Sequence, residues 1–139
     1  MGFDFDNDRP IYLQIIEYIK KMIVCGYYLP NQKLQSIREF AEELGVNPNT
    51  VQKALFELET MGLVFTERTN GKYVTADVKV IENVKNNLLK DRAKKFFYEM
   101  KEIGLNEKEA IEYLLKNGGK EWVYWRLKML VKVLEIKRF

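Results

Sequence analysis

Residues 34–64, read LQSIREFAEELGVNPNTVQKALFELETMGLV, constrain the fold of this chain more than any other stretch. Ser36 followed by Glu39 is a capping box, in which each side chain satisfies an otherwise unpaired backbone N–H of the other residue. Behind it Ile37, Phe40, Ala41 and Leu44 recur at i, i+3, i+4, i+7, the apolar stripe of a helix. Gly45 stands where the chain must stop and turn, a position that often needs positive φ. Asn47 then caps a second helix and Pro48 is pre-organised for its first position. The second stripe is Val51, Ala54, Leu55 and Leu58, which leaves Asn49, Gln52, Lys53 and Phe56 facing away from that core. Two helices across a short glycine-containing turn form a helix-turn-helix; the plainer alternative is an ordinary αα-hairpin.

The flanks favour the first reading. Residues 1–9 read as a loose arm, and Pro10 begins a helix whose apolar face is Ile11, Ile15, Tyr18, Ile19, Met22 and Ile23, ended by Gly26. Such a third helix is what a helix-turn-helix needs to bury both of its stripes. Tyr12, Tyr27 and Tyr28 read as core or rim aromatics in preference to stacking platforms. After Gly62, residues 63–67 and 72–75 are β-rich runs, and Asn70-Gly71 between them is a strong hairpin signal. A hairpin in that place makes a winged helix with Arg68, Thr69 and Lys72 at its tip. Residues 78–103 read as one long helix with a stripe through Ile81, Val84, Leu88, Leu89, Ala93, Phe96, Phe97 and Met100. Asn106 caps a further helix with Ile111, Leu114 and Leu115 on its face. A last helix, about 121–137, carries Trp122, Trp125, Met129 and Val133. The expected fold is therefore mostly α with a small β-hairpin (α+β): an arm at 1–9, a winged helix at 10–77 and an all-helical segment at 78–139. The apolar stripes of that last segment exceed what short antiparallel partners hide, so a second subunit is their natural cover, with Leu88, Phe96, Phe97, Met100, Leu114, Trp122, Trp125 and Met129 as the dimerisation residues.

Composition excludes several classes of function. The 139 residues contain no histidine and one cysteine, Cys25, so neither a metal cluster nor a disulfide framework is expected, and no cofactor. There is no phosphate-cradling glycine loop, and the adjacent Glu42 and Glu43 point apart on a helix, so catalysis is not expected. No apolar run approaches the roughly 18 residues of a membrane span, and MGFDFDNDRP lacks the features of a signal peptide, which makes the cytoplasm the expected location. The net charge of +3 divides unevenly: 8 Lys and Arg face 11 Asp and Glu through Asp77, a balance of −3, and 15 face 9 beyond it, a balance of +6. A nucleic-acid reader would thus depend on the local placement of Lys33, Arg38, Lys53, Arg68 and Lys72. The acidic balance of the first half also keeps a second reading in play, a winged helix used only for contact with another protein. A small-molecule effector is not indicated, since aromatic stripes such as Phe96, Trp122, Tyr124 and Trp125 at helical spacing read as core or dimer interface.

Four segments together resemble one family: Pro10-Ile11-Tyr12-Leu13-Gln14-Ile15; Leu34-Gln35-Ser36-Ile37-Arg38-Glu39-Phe40-Ala41; Leu44-Gly45-Val46-Asn47-Pro48-Asn49-Thr50-Val51-Gln52-Lys53-Ala54; and Leu58-Glu59-Thr60-Met61-Gly62-Leu63-Val64. They are similar to the winged-helix domain of GntR-type bacterial transcription regulators, and the short helical tail resembles the YtrA subfamily. The resemblance implies a homodimer that binds palindromic double-stranded DNA, usually as a repressor, with a recognition helix at about 48–61 and a wing at 68–72. It places Arg38 on the family's DNA-approaching arginine, Asn47, Asn49, Thr50 and Lys53 on recognition-helix positions, and Gly71 on the wing glycine. Residue chemistry adds Gln52, which like Asn49 can pair bidentately with adenine, and makes Arg38, Lys53 and Lys72 backbone contacts; Lys33, Ser36 and Arg68, the last at the wing tip, complete the DNA-binding candidates. Three departures stand out. Gln35 replaces the usual proline and is expected to loosen the loop before the first motif helix, the wing is less glycine-rich, and the Trp-containing helix extends beyond the compact subfamily tail.

Overall fold

In the computed structural model, which describes residues 3–117 and Lys128, the elements follow in the order α1 (Ile11–Val24), α2 (Ile37–Leu44), α3 (Pro48–Thr60), β1 (Val64–Glu67), β2 (Gly71–Val74), α4 (Val78–Glu102) and α5 (Glu107–Asn117). The expected last helix, with Trp122, Trp125 and Met129, lies outside the described residues. The fold is α+β, a winged helix-turn-helix followed by a helical segment. No helix among the described residues is long and apolar enough to cross a membrane.

The chain divides into two compact units, residues 1–88 and 89–139. In the first, α1 and α2 both pack on α3, and α3 packs on β1. Each helix contributes its apolar stripe: Ile15, Ile16, Ile19 and Ile23 from α1, Phe40, Ala41 and Leu44 from α2, and Val51, Ala54, Leu55 and Leu58 from α3. Leu63, Val64 and Val74 close the core from the hairpin side. Ile11, expected on the buried face of α1, is instead 44% exposed, and Ile16 takes its place. The unit continues past Asp77 because Ile81 is buried in this core and Val80 and Val84 pack against it. The first turns of α4 therefore belong to the winged helix and not to the tail.

The arm differs most from expectation. Gln14, 5% exposed, points back at it: Nε2 donates to the carbonyls of Asp6 (2.8 Å) and Arg9 (2.9 Å), and Oε1 accepts from the Asp6 N–H (2.8 Å). Arg9 makes a two-pronged pair with Glu17 at 2.9 and 3.0 Å, whose hydrogen bond holds the Glu17 carboxyl below its ordinary range. Phe3 and Phe5 pack on the core, and Phe3 meets the Tyr18 ring edge-on. Residues 3–9 are thus fastened along α1, since a buried amide with three satisfied bonds and two docked rings outweigh the entropy of a free end.

The hairpin is antiparallel, with Val64 opposite Val74 and Glu67 opposite Gly71, so that Arg68, Thr69 and Asn70 form a three-residue loop. Gly71 closes it at φ +94°, the left-handed position such loops require. Residues 31–34 bridge to the other edge of β2, with Lys33 opposite Tyr73: the N–H of Leu34 donates to Lys72 O (2.8 Å), that of Val74 to Gln32 O (2.9 Å), and that of Asn31 to Val74 O (3.0 Å). In the second unit Asn106 and Glu109 form a complete capping box at 2.8 and 3.2 Å, and Ala110 is fully buried. Leu89, Ile103, Ile111, Leu114 and Leu115 remain exposed, while Phe96, Phe97 and Met100 are half-buried.

Candidate nucleic-acid interface

The turn between α2 and α3 is built as its residues dictate. Ser36 Oγ accepts from the Glu39 N–H at 3.1 Å and starts α2, while the return bond of the expected capping box, from the Ser36 N–H to the Glu39 carboxylate, does not form. Gly45 ends it at φ +69°, where a side chain would be strained. Asn47 Oδ1 then accepts from the Asn49 N–H at 2.8 Å, with Pro48 opening α3. The N-terminus of α3 is therefore fixed and solvent-facing. Its unpaired N–H groups and dipole favour negative charge there.

At 100° per residue, the outward face of α3 carries Asn49, Gln52, Lys53, Phe56 and Glu59 in one stripe. Asn49, Gln52 and Lys53 are exposed, and Thr50 is half-buried beside them. Among the described residues the side chains of Lys33, Arg38, Asn49, Gln52 and Arg68 make no hydrogen bond or ion pair, so all five are free to meet a partner. The two edges of the stripe are different. On one, Lys53 Nζ sits 3.8 Å from the centroid of the Tyr12 ring on α1. On the other, Lys72 Nζ lies 3.0 Å from Glu59 Oε1 and 2.8 Å from Thr66 Oγ1, and Thr66 Oγ1 in turn donates to the same Glu59 oxygen. Burial alone would raise the Glu59 carboxyl, but the hydrogen bonds from Thr66 and Lys72, with the lysine's charge, outweigh it and hold the group below its ordinary value. Lys72, expected as a backbone contact at the wing tip, here braces the wing against the helix.

A second cluster lies between the start of α2 and the wing. Lys33, Ser36, Arg38, Gly71 and Lys72 line one open groove with Gln35, Thr66 and Asn70. A Cβ at Gly71 would stand 3.8 Å from Lys33 Cε, ordinary contact, so glycine is required there by the backbone and not by space. Gln35 does not loosen this region: its Nε2 donates to Glu43 Oε2 at 2.6 Å and ties the loop to α2. Arg68 stands at the tip of the hairpin, exposed. Of the eleven candidate residues, then, five share the groove, five lie on the first turns of α3 and its cap, and Arg68 extends from the wing. Sequence reasoning missed Tyr12 and Glu59 as holders of Lys53 and Lys72. Their signal is tertiary, because each pair joins different elements.

A family model described as "Bacterial regulatory proteins, gntR family" matches residues 11–74. The chain is 37% identical over 112 residues to the HTH-type transcriptional regulator YhcF of Bacillus subtilis, covering 81% of this chain and 93% of that one. It is 33% identical over 121 residues to the HTH-type transcriptional repressor YtrA of the same organism, covering 83% and 93%. Among solved structures, a GntR family transcriptional regulator from Listeria monocytogenes superposes with a TM-score of 0.77 at 42% identity, over 81% of this chain and 98% of that one. These relatives are regulators of transcription and not enzymes, and the match extends beyond the winged helix into the tail. With its helix-turn-helix, wing and helical extension matched together, this chain belongs to the GntR family of DNA-binding transcription regulators.

Proposed function

We propose that the chain is a cytoplasmic, homodimeric repressor that reads a palindromic operator, with α3 in the major groove and the wing at the adjacent minor groove or backbone. The observation that carries this reading is the capped N-terminus of α3. There Asn49 and Gln52 stand exposed and unpartnered, beside a groove lined by Lys33 and Arg38. Asn49 and Gln52 match the edge of adenine, at roughly 1–3 kcal/mol of discrimination per good pair. Asn47, Thr50, Lys33, Ser36, Arg38 and Arg68 meet phosphates, and Gly71 lets the wing approach. Lys53 and Lys72 hold the recognition helix in place and add positive charge at its edges. Repression is supported by the name of the YtrA relative. Dimerisation is supported by the exposed Leu114 and half-buried Leu88, Phe96, Phe97 and Met100; Trp122, Trp125 and Met129 belong to the same proposal.

Selection of bound duplexes from a random pool at physiological salt tests the reading. A palindromic motif is the expected result, with Asn49→Ala relaxing its base preference and Lys72→Ala weakening all duplexes alike. Recovery of no motif, with retention lost at modest salt, overturns it in favour of a winged helix that binds protein.

A further inference from the structure

Phe56 lies in the middle of the outward stripe of α3, and the interface above gives it no role. The residue is 63% exposed on a face that is otherwise polar. It follows Asn49 by seven residues, which returns it to within about 20° of the same direction and about 10 Å further along the helix. Of its neighbours one turn away along α3, the two charged ones are held elsewhere. Lys53 is drawn sideways onto Tyr12, and Glu59 is held by Lys72 and Thr66. The tethers on either edge leave the ring clear between them.

On the floor of the major groove the apolar group available to such a ring is the C5-methyl of thymine. We infer that Phe56 is a specificity-determining residue that reads a thymine methyl. Asn49, Gln52 and Phe56 then form one reading strip, two polar positions followed by an apolar one. With base pairs stacked about 3.4 Å apart, the thymine falls two to four base pairs from the base that Asn49 contacts. This inference rests on the proposed DNA reading and adds a base identity to it.

The test uses the full chain and the motif recovered by selection. Deoxyuridine replaces each thymine in turn, which removes the methyl and leaves base pairing intact. The expected result is one sensitive thymine per half-site, at the stated distance, costing about fourfold in affinity for each methyl lost. Phe56→Ala, which removes the ring from both subunits, should lose that factor once per half-site, about sixteenfold on the unmodified two-half-site duplex, and become indifferent to the uracil, while Phe56→Leu retains part of the preference. Because the ring is exposed, both variants should unfold at the temperature of the parent. A motif bound with no methyl-sensitive thymine overturns the inference and leaves the DNA reading standing. So does Phe56→Ala with full methyl preference, and a simultaneous change in its oligomeric state would assign the ring to a protein interface. If selection yields no motif, the DNA reading fails first and this inference with it.

Discussion

Glu59 places a carboxylate on the recognition helix next to the wing, where a phosphate would be repelled. Its charge is tolerable because Lys72 and Thr66 both bond to it, and the cost is that Lys72 is spent inside the protein. Since its folded pKa is depressed, Glu59 adds stability that is present above the ordinary value of 4.5 and is lost as pH falls through the lower folded value. Glu59→Gln should abolish this acid-side component in thermal unfolding followed from pH 6 down to pH 3, with a change within about 1 kcal/mol for a partly exposed pair. It should also weaken binding to every duplex, because the wing loses its attachment. Tyr12→Leu should release Lys53 at a similar small cost, roughly 0.5–1 kcal/mol by urea titration. The caps and stripes around these residues were legible in sequence because they are local: Ser36, Gly45, Asn47 and Pro48 act within a turn of helix. The destinations of Lys53 and Lys72 were not, because nothing local distinguishes a lysine aimed at solvent from one captured by another element.

At the scale of elements, periodicity located α1, α2, α3, the hairpin and α4 close to where they lie. It failed at the arm and at the segment that bridges to β2. The arm of residues 3–9 is polar and irregular, and what fastens it is a single glutamine buried inside an isoleucine stripe. Gln14→Leu preserves volume but leaves the Asp6 N–H and two carbonyls unpaired, at a cost of about 1–3 kcal/mol. Limited proteolysis should then cut within residues 3–9, where the parent resists. Residues 31–34 escaped notice because they are short, follow Pro30 and show no alternation. In the wing, Gly71→Ala forces a side chain into φ +94° at about 1–2 kcal/mol, and operator affinity should fall with it.

For the whole molecule, the sequence suggested a boundary at Asp77, whereas the compact division falls after Leu88. Pattern alone could not place it, because α4 serves the first core through Ile81 and runs on past Leu88 as one continuous helix. The tail buries little by itself: among the described residues of the second unit only Ala110 is buried. Leu114→Glu should therefore convert the protein to a monomer in sedimentation equilibrium and reduce affinity for a two-half-site duplex far more than for a single half-site. The bridge from residues 31–34 to β2 has a different consequence. With β1 on one edge of β2 and the isolated Lys33–Tyr73 bridge on the other, both edges of β2 carry backbone hydrogen bonds, although the hairpin alone would leave one edge open. In deuterated solvent the amides of Leu34 and Val74 should retain their protons about as long as the α3 core, while those of Arg68 and Thr69 exchange at once. The wing would then fray from its tip inward, and its base would open only when the winged helix unfolds as a whole.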